Sequence, residues 1–132
     1  MFRFASPTDT RPCVLAKNLT NYGMFWQEWE HGIAGNKAAK LWEPEDCNSS
    51  STYSRRKPIY LLLDRTIHVK GKLPAEAFRL MEIHFGARRF GAAAELIRQH
   101  ERNGTMPQAL ACRSHPLNLQ PPRRKRKSRQ QF

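Results

Sequence analysis

Three successive cations, Arg55, Arg56 and Lys57, follow Tyr53-Ser54 and precede Pro58-Ile59. Ser54 reads as a helix N-cap, because its hydroxyl can accept a hydrogen bond from a first-turn N–H. Pro58 suits a first turn, where a missing N–H leaves no bond unmade. The pattern therefore predicts a helix opening at Ser54 with all three cations at its start. A helix N-terminus carries about half a positive charge, so each exposed cation there costs about 0.3–1 kcal/mol. An anion reverses that sign, because free backbone N–H groups, the dipole and the side chains then converge on it. An arginine fork grips a phosphate, or a guanine edge, with two parallel hydrogen bonds. Ser54, Arg55, Arg56 and Lys57 are thus candidates for binding nucleic acid. The acids Glu43, Glu45 and Asp46 supply the opposing reading, a neutralised basic turn.

Two further basic concentrations stand in the chain. Arg88 and Arg89 lie in Gly86-Ala87-Arg88-Arg89-Phe90-Gly91, which lacks the lysine and hydroxyl of a phosphate loop and reads as an inter-helix turn with a second basic patch. From Arg113 onward there are seven basic residues and no acid, in a chain of net charge +12. The run Arg123-Arg124-Lys125-Arg126-Lys127 follows two prolines. It suits a nuclear import receptor, which reads an extended basic segment, and it suits attraction to phosphates through counterion release. A solvated solubility tail is the third reading.

Other chemistry is poorly supported. The five histidines show no HxxxH, and Cys13, Cys47 and Cys112 form no CxxC, so no metal site and no cofactor is expected. The cysteines read as reduced thiols, His84 and His100 as core-edge residues, and Glu28 with Glu30 as a solvated acidic face. No nucleophile stands with a base, and the reading is of a non-enzyme. The longest apolar run, Ile59–Leu63, has five residues where a membrane span needs about 20. Residues 1–14 contain no apolar stretch of signal-peptide length, so no secretory signal is expected. Three Trp and seven Phe argue for a packed core rather than a wholly disordered chain.

The elements that must position these residues are helical. Tyr22, Phe25, Trp26, Trp29 and Ile33 recur at the 3.6-residue period within Leu19–Ile33, with Thr20 or Asn21 as cap and Gly32 or Gly35 as stop. Asn36–Trp42 reads as a short second helix, and 43–52 as a loop. The third helix presents Ile59, Leu62, Leu63 and Ile67. The fourth, Leu73–Phe85, presents Ala77, Phe78, Met81, His84 and Phe85. The fifth, Gly91–Arg102, presents Ala94, Leu96, Ile97 and His100 and stops at Asn103-Gly104. Thr105–Ala111 has room for one more turn or two, with Thr105 as cap. No alternating β-branched run appears, so the expected fold class is all-α. The expected organisation is a flexible arm over 1–17, a helical domain over 18–112 and a disordered basic tail over 113–132. Trp26, Trp29, Ile59 and Leu63 are expected to be buried together.

Leu19-Thr20, Phe25-Trp26-Gln27-Glu28-Trp29, Gly32, Gly35, Leu41 and Tyr53-Ser54-Arg55-Arg56-Lys57-Pro58-Ile59 stand in an order that resembles a known family. It is the C-terminal DNA-binding domain family of the yeast glycolytic-gene activator, found also in other fungal regulators and in some mobile-element proteins. The resemblance covers 19–67. The family's Trp-Arg pair before the basic stretch has no counterpart in the loop Glu45–Thr52. The resemblance implies duplex DNA binding through Arg55, Arg56 and Lys57. With the basic tail, the expectation is a nuclear DNA-binding, transcription-regulator-like protein. Two alternatives stand beside it: a basic structural RNA-binding protein of a ribonucleoprotein, and a helical protein-interaction module.

Overall fold

The computed structural model describes residues 11–42 and 50–119, and among these the chain is helical with no strand. Helix α1 spans Tyr22–Glu30, α2 spans Ser50–Asp64, α3 spans Pro74–Phe85 and α4 spans Phe90–Asn103. Among the described residues there are thus four α-helices, where five were expected. Asn21 caps α1, its side chain accepting from the Met24 N–H at 2.9 Å. Gly32 follows the end of α1 at φ +84°, and a Cβ there would fall 1.9 Å from the Asn36 carbonyl oxygen. Only glycine fits that return of the chain.

The expected second helix is reduced to a single 3₁₀ turn, Ala39–Leu41. Its backbone is satisfied from elsewhere. The Lys37 N–H donates to the Pro12 carbonyl at 2.8 Å, and the Trp42 indole N–H donates back to the Lys37 carbonyl at 3.3 Å. Residues 11–17, expected as part of a loose arm, are therefore tied down. The Ala16 N–H also donates to Glu28 at 2.7 Å, and Leu15 packs on the core.

Helix α2 is the centre of the bundle, with α1 and α4 packed against it. Ile59, Tyr60, Leu62 and Leu63 are all buried, so this part of the helix is apolar on most of its circumference, as a central helix must be. Trp26, Trp29, Ile59 and Leu63 share one buried cluster, as expected from their phases. Trp29 stacks on Tyr60 with ring centroids 5.1 Å apart. The small residues Ala93 and Ala94, with Ile97, give α4 its inward face.

The largest departure from expectation concerns Pro58. It lies inside α2 and not in its first turn. An interior proline has no N–H for the carbonyl four residues earlier. That carbonyl belongs to Ser54, and the Arg98 guanidinium of α4 donates to it at 3.1 Å. A tertiary contact thus replaces the missing helical bond, and α2 continues through the proline.

Past Asp64 the helix widens into a π-helical turn, Arg65–Val69. The Lys70 N–H reaches back five residues to the Arg65 carbonyl at 2.9 Å. Arg65 is only 3% exposed and donates to both Glu101 oxygens and to the carbonyls of Leu110 and His115. Those bonds hold the C-terminal segment. Pro107–Ala111 makes one turn, the Leu117 N–H donates to Glu101 at 2.9 Å, and Leu117 and Leu119 pack on the core. Residues 113–119, expected as tail, therefore belong to the folded body. The run Arg123–Lys127 lies outside the described residues. No helix among the described residues is long and apolar enough to cross a membrane.

Candidate nucleic-acid interface

Because α2 includes Ser50–Asp64, Arg55, Arg56 and Lys57 do not meet a helix N-terminus. Successive residues of an α-helix are turned by about 100°, so three in a row fan around the axis. Arg55 is exposed, Lys57 is half-buried, and Arg56 turns inward. The Arg56 guanidinium donates to Glu28 at 2.6 Å and to the Ala16 carbonyl at 2.7 Å, and it lies 6.0 Å from the Phe25 ring centre. Tyr60 also donates to Glu28. Burial, then the neighbouring Glu28 carboxylate, pushes the Tyr60 hydroxyl far above its ordinary range. Arg56 is thus a structural cation, and Ser54 offers its carbonyl to Arg98 rather than its hydroxyl to a cap.

Glu28 is the residue that sequence reasoning misplaced. It is 2% exposed, not part of a solvated acidic face. A signal was present: Glu28 stands three residues after Phe25 and directly before Trp29, at the edge of the aromatic stripe.

The arrangement expected at α2 exists instead at α4. Arg89 is the N-cap residue of α4 and makes no side-chain cap bond, and the first turn carries no acid. The opening N–H groups of an α-helix have no partner within the helix. Arg88 and Arg89 are both exposed immediately before this end. Phe90 and Gly91 then line a groove of about 490 Å³ together with Lys17, Asn18, Thr20, Arg55 and Arg56. A Cβ placed on Gly91 would meet nothing within 4 Å, so the backbone there is open to approach. No carboxylate lines the groove. Among the described residues, Lys17, Arg55, Arg88 and Arg89 make no ion pair that would neutralise them. The structure therefore brings Arg55 beside the opening of α4, gives Arg56 to the core and sends Lys57 to another face. Chemically, the groove can take an anionic oxygen group between Lys17, Arg55 and the first N–H groups of α4.

A reactive thiol lies on the C-terminal segment. Cys112 Sγ is 3.5 Å from Ser114 Oγ and 3.9 Å from His115 Nδ1. The Ser114 hydrogen bond lowers the thiol, slight burial opposes it, and His115 adds to the lowering, leaving a pKa of about 7. Alkylation of Cys112 by iodoacetamide is expected to reach half its maximal rate near pH 7. An ordinary cysteine titrates at about 8.5, and His115→Ala should move the midpoint toward that value. Mass-spectrometric quantification of the Cys112 peptide across pH checks this.

Compared with known proteins, the chain matches no protein-family model, no curated protein and no solved structure.

Proposed function

We propose that the chain is a nuclear DNA-binding protein, transcription-regulator-like, that holds the phosphate backbone of duplex DNA in the groove between α2 and the start of α4. The observation that carries this reading is the groove itself: Lys17 and Arg55 face the uncapped first turn of α4, with no carboxylate in the lining. Arg88 and Arg89 extend the positive surface next to it. Cations placed at the positive end of a helix are unfavourable alone and favourable around a phosphate. The motif order that resembles the fungal DNA-binding domain family supports the same reading. Arg123, Arg124, Lys125, Arg126 and Lys127 then serve nuclear import, non-specific phosphate attraction, or both.

The test is fluorescence anisotropy of the full chain with a duplex DNA and with a single-stranded RNA, each at two salt concentrations. Lys17→Ala with Arg55→Ala is expected to weaken duplex binding and to lower the slope of log K against log salt by about 1 per lost phosphate contact. Melting temperature should stay level, since neither side chain makes an ion pair within the described body. Arg88→Ala with Arg89→Ala should act in the same direction. Unchanged affinity and unchanged slope in both double variants would remove the groove from the interface. Tighter binding to the RNA, lost in the same variants, would move the assignment to a ribonucleoprotein component. Replacing the five cations at 123–127 by glutamine should reduce nuclear accumulation of a fluorescent fusion.

A further inference from the structure

At the C-terminal end of α1, three side chains from separate turns of the fold converge on one small volume. His68 Nε2 lies 3.2 Å from Glu30 Oε2 and 3.9 Å from Asp64 Oδ1. One ligand atom from each of the three residues lies within 4.8 Å of the others. We propose that Glu30, Asp64 and His68 form a site for one divalent transition-metal ion of the zinc class, tying the end of α1 to the π-helical turn.

The geometry carries the assignment. Zinc bound at about 2.0–2.2 Å to nitrogen and oxygen in a tetrahedral shell sets its ligand atoms about 3.4 Å apart. The two measured separations from the imidazole nitrogen bracket that spacing. One nitrogen and two carboxylate oxygens make a borderline donor set, which suits zinc, cobalt or manganese better than calcium, whose shell needs six to eight oxygens. Glu30 and Asp64 are half-buried and His68 is half-exposed, so the fourth position opens to solvent.

Outer contacts surround the ligand atoms, and the one from Trp29 falls on the Asp64 oxygen that faces His68. Lys40 Nζ donates to Glu30 Oε1 at 3.0 Å, and that is not the oxygen facing His68. The Trp29 indole N–H donates to Asp64 Oδ1 at 3.4 Å, and the His68 ring rests against Trp26 with centroids 5.3 Å apart. Such outer contacts fix ligand orientation. The last turn of α1 contains no basic residue, and a helix C-terminus favours a cation. In sequence, Glu30 and Asp64 stand 34 positions apart, and only the Asp64-x-x-x-His68 pair shows helical ligand spacing. The absence of HxxxH and CxxC therefore says nothing about this site.

The experiment titrates the full chain with zinc ion by calorimetry at neutral pH, and with cobalt ion by visible absorption. One equivalent is expected to bind, to raise the melting temperature, and to give a cobalt spectrum without thiolate-to-metal charge transfer. His68→Gln and Asp64→Asn should each weaken binding at least tenfold. Both side chains lie near the surface, and circular dichroism of each variant verifies its fold. Cys112→Ser with His115→Ala should leave the affinity unchanged. Absence of stoichiometric binding to the folded chain would overturn the proposal. Binding that survives both ligand variants, or that is lost with Cys112 and His115, would overturn it as well.

Discussion

Glu28→Ala is expected to destabilise the protein by about 3–5 kcal/mol, the range for breaking a buried ion pair from one side. Glu28 accepts from Arg56, from Tyr60 and from the Ala16 N–H, and it is 2% exposed. Its removal leaves a guanidinium, a phenol and a backbone N–H without their acceptor in a closed space. Each of those groups then loses a bond that water reaches poorly. Arg56→Ala should cost a similar amount, since it strands the carboxylate. Replacing Arg56 is therefore a stability change as well as a charge change, and it cannot serve as a test of DNA contact; Arg55 can. Replacing both Glu28 and Arg56 by apolar residues of similar volume should recover much of the loss, because the uncompensated charge disappears. Urea denaturation followed by tryptophan fluorescence measures all three variants. A loss below about 1 kcal/mol for Glu28→Ala would place the pair among exposed salt bridges and contradict its burial.

Arg65→Ala is expected to have an effect of the same size, about 3–5 kcal/mol, and a distinct second signature. The Arg65 guanidinium holds Glu101 of α4 and, through the carbonyls of Leu110 and His115, the segment beyond it. Removing it leaves the buried Leu110 carbonyl without that donor and frees the Glu101 carboxylate. Residues 111–119 should then become susceptible to limited proteolysis while α1–α4 persist. Arg65→Lys should rescue little, because an ammonium group lacks the planar fork that serves both the carboxylate and the two carbonyls. Equal protease resistance of Arg65→Ala and the unaltered protein would show that Leu117 and Leu119 hold the segment by packing alone.

Local patterns made much of the fold legible. The aromatic period of α1 predicts the residues that are buried, and Pro74, Gly86 and Gly104 mark ends that the structure keeps. Legibility failed where a distant residue overrules a local rule. Pro58 reads as a helix start because nothing near it announces Arg98. Arg56 reads as a surface cation because its partner lies 28 residues earlier, in a helix where a carboxylate between tryptophans looks solvated. Residues 113–119 read as tail because their anchor is the guanidinium of Arg65, 45–50 residues away from the carbonyls it binds. Arg55 was visible as a basic residue, but its place beside Phe90 and Gly91 depends on how α4 docks against α2, and no spacing within either helix encodes that.

The Ser54–Arg98 contact has a consequence for the order in which the chain folds. A helix growing along residues 50–64 comes to a carbonyl that it cannot satisfy alone, four residues before its proline. Only α4, arriving from 44 residues further on, completes it. Until α4 docks, water serves the Ser54 carbonyl, so the last bond of the first half of α2 is made only as the chain between the two helices closes.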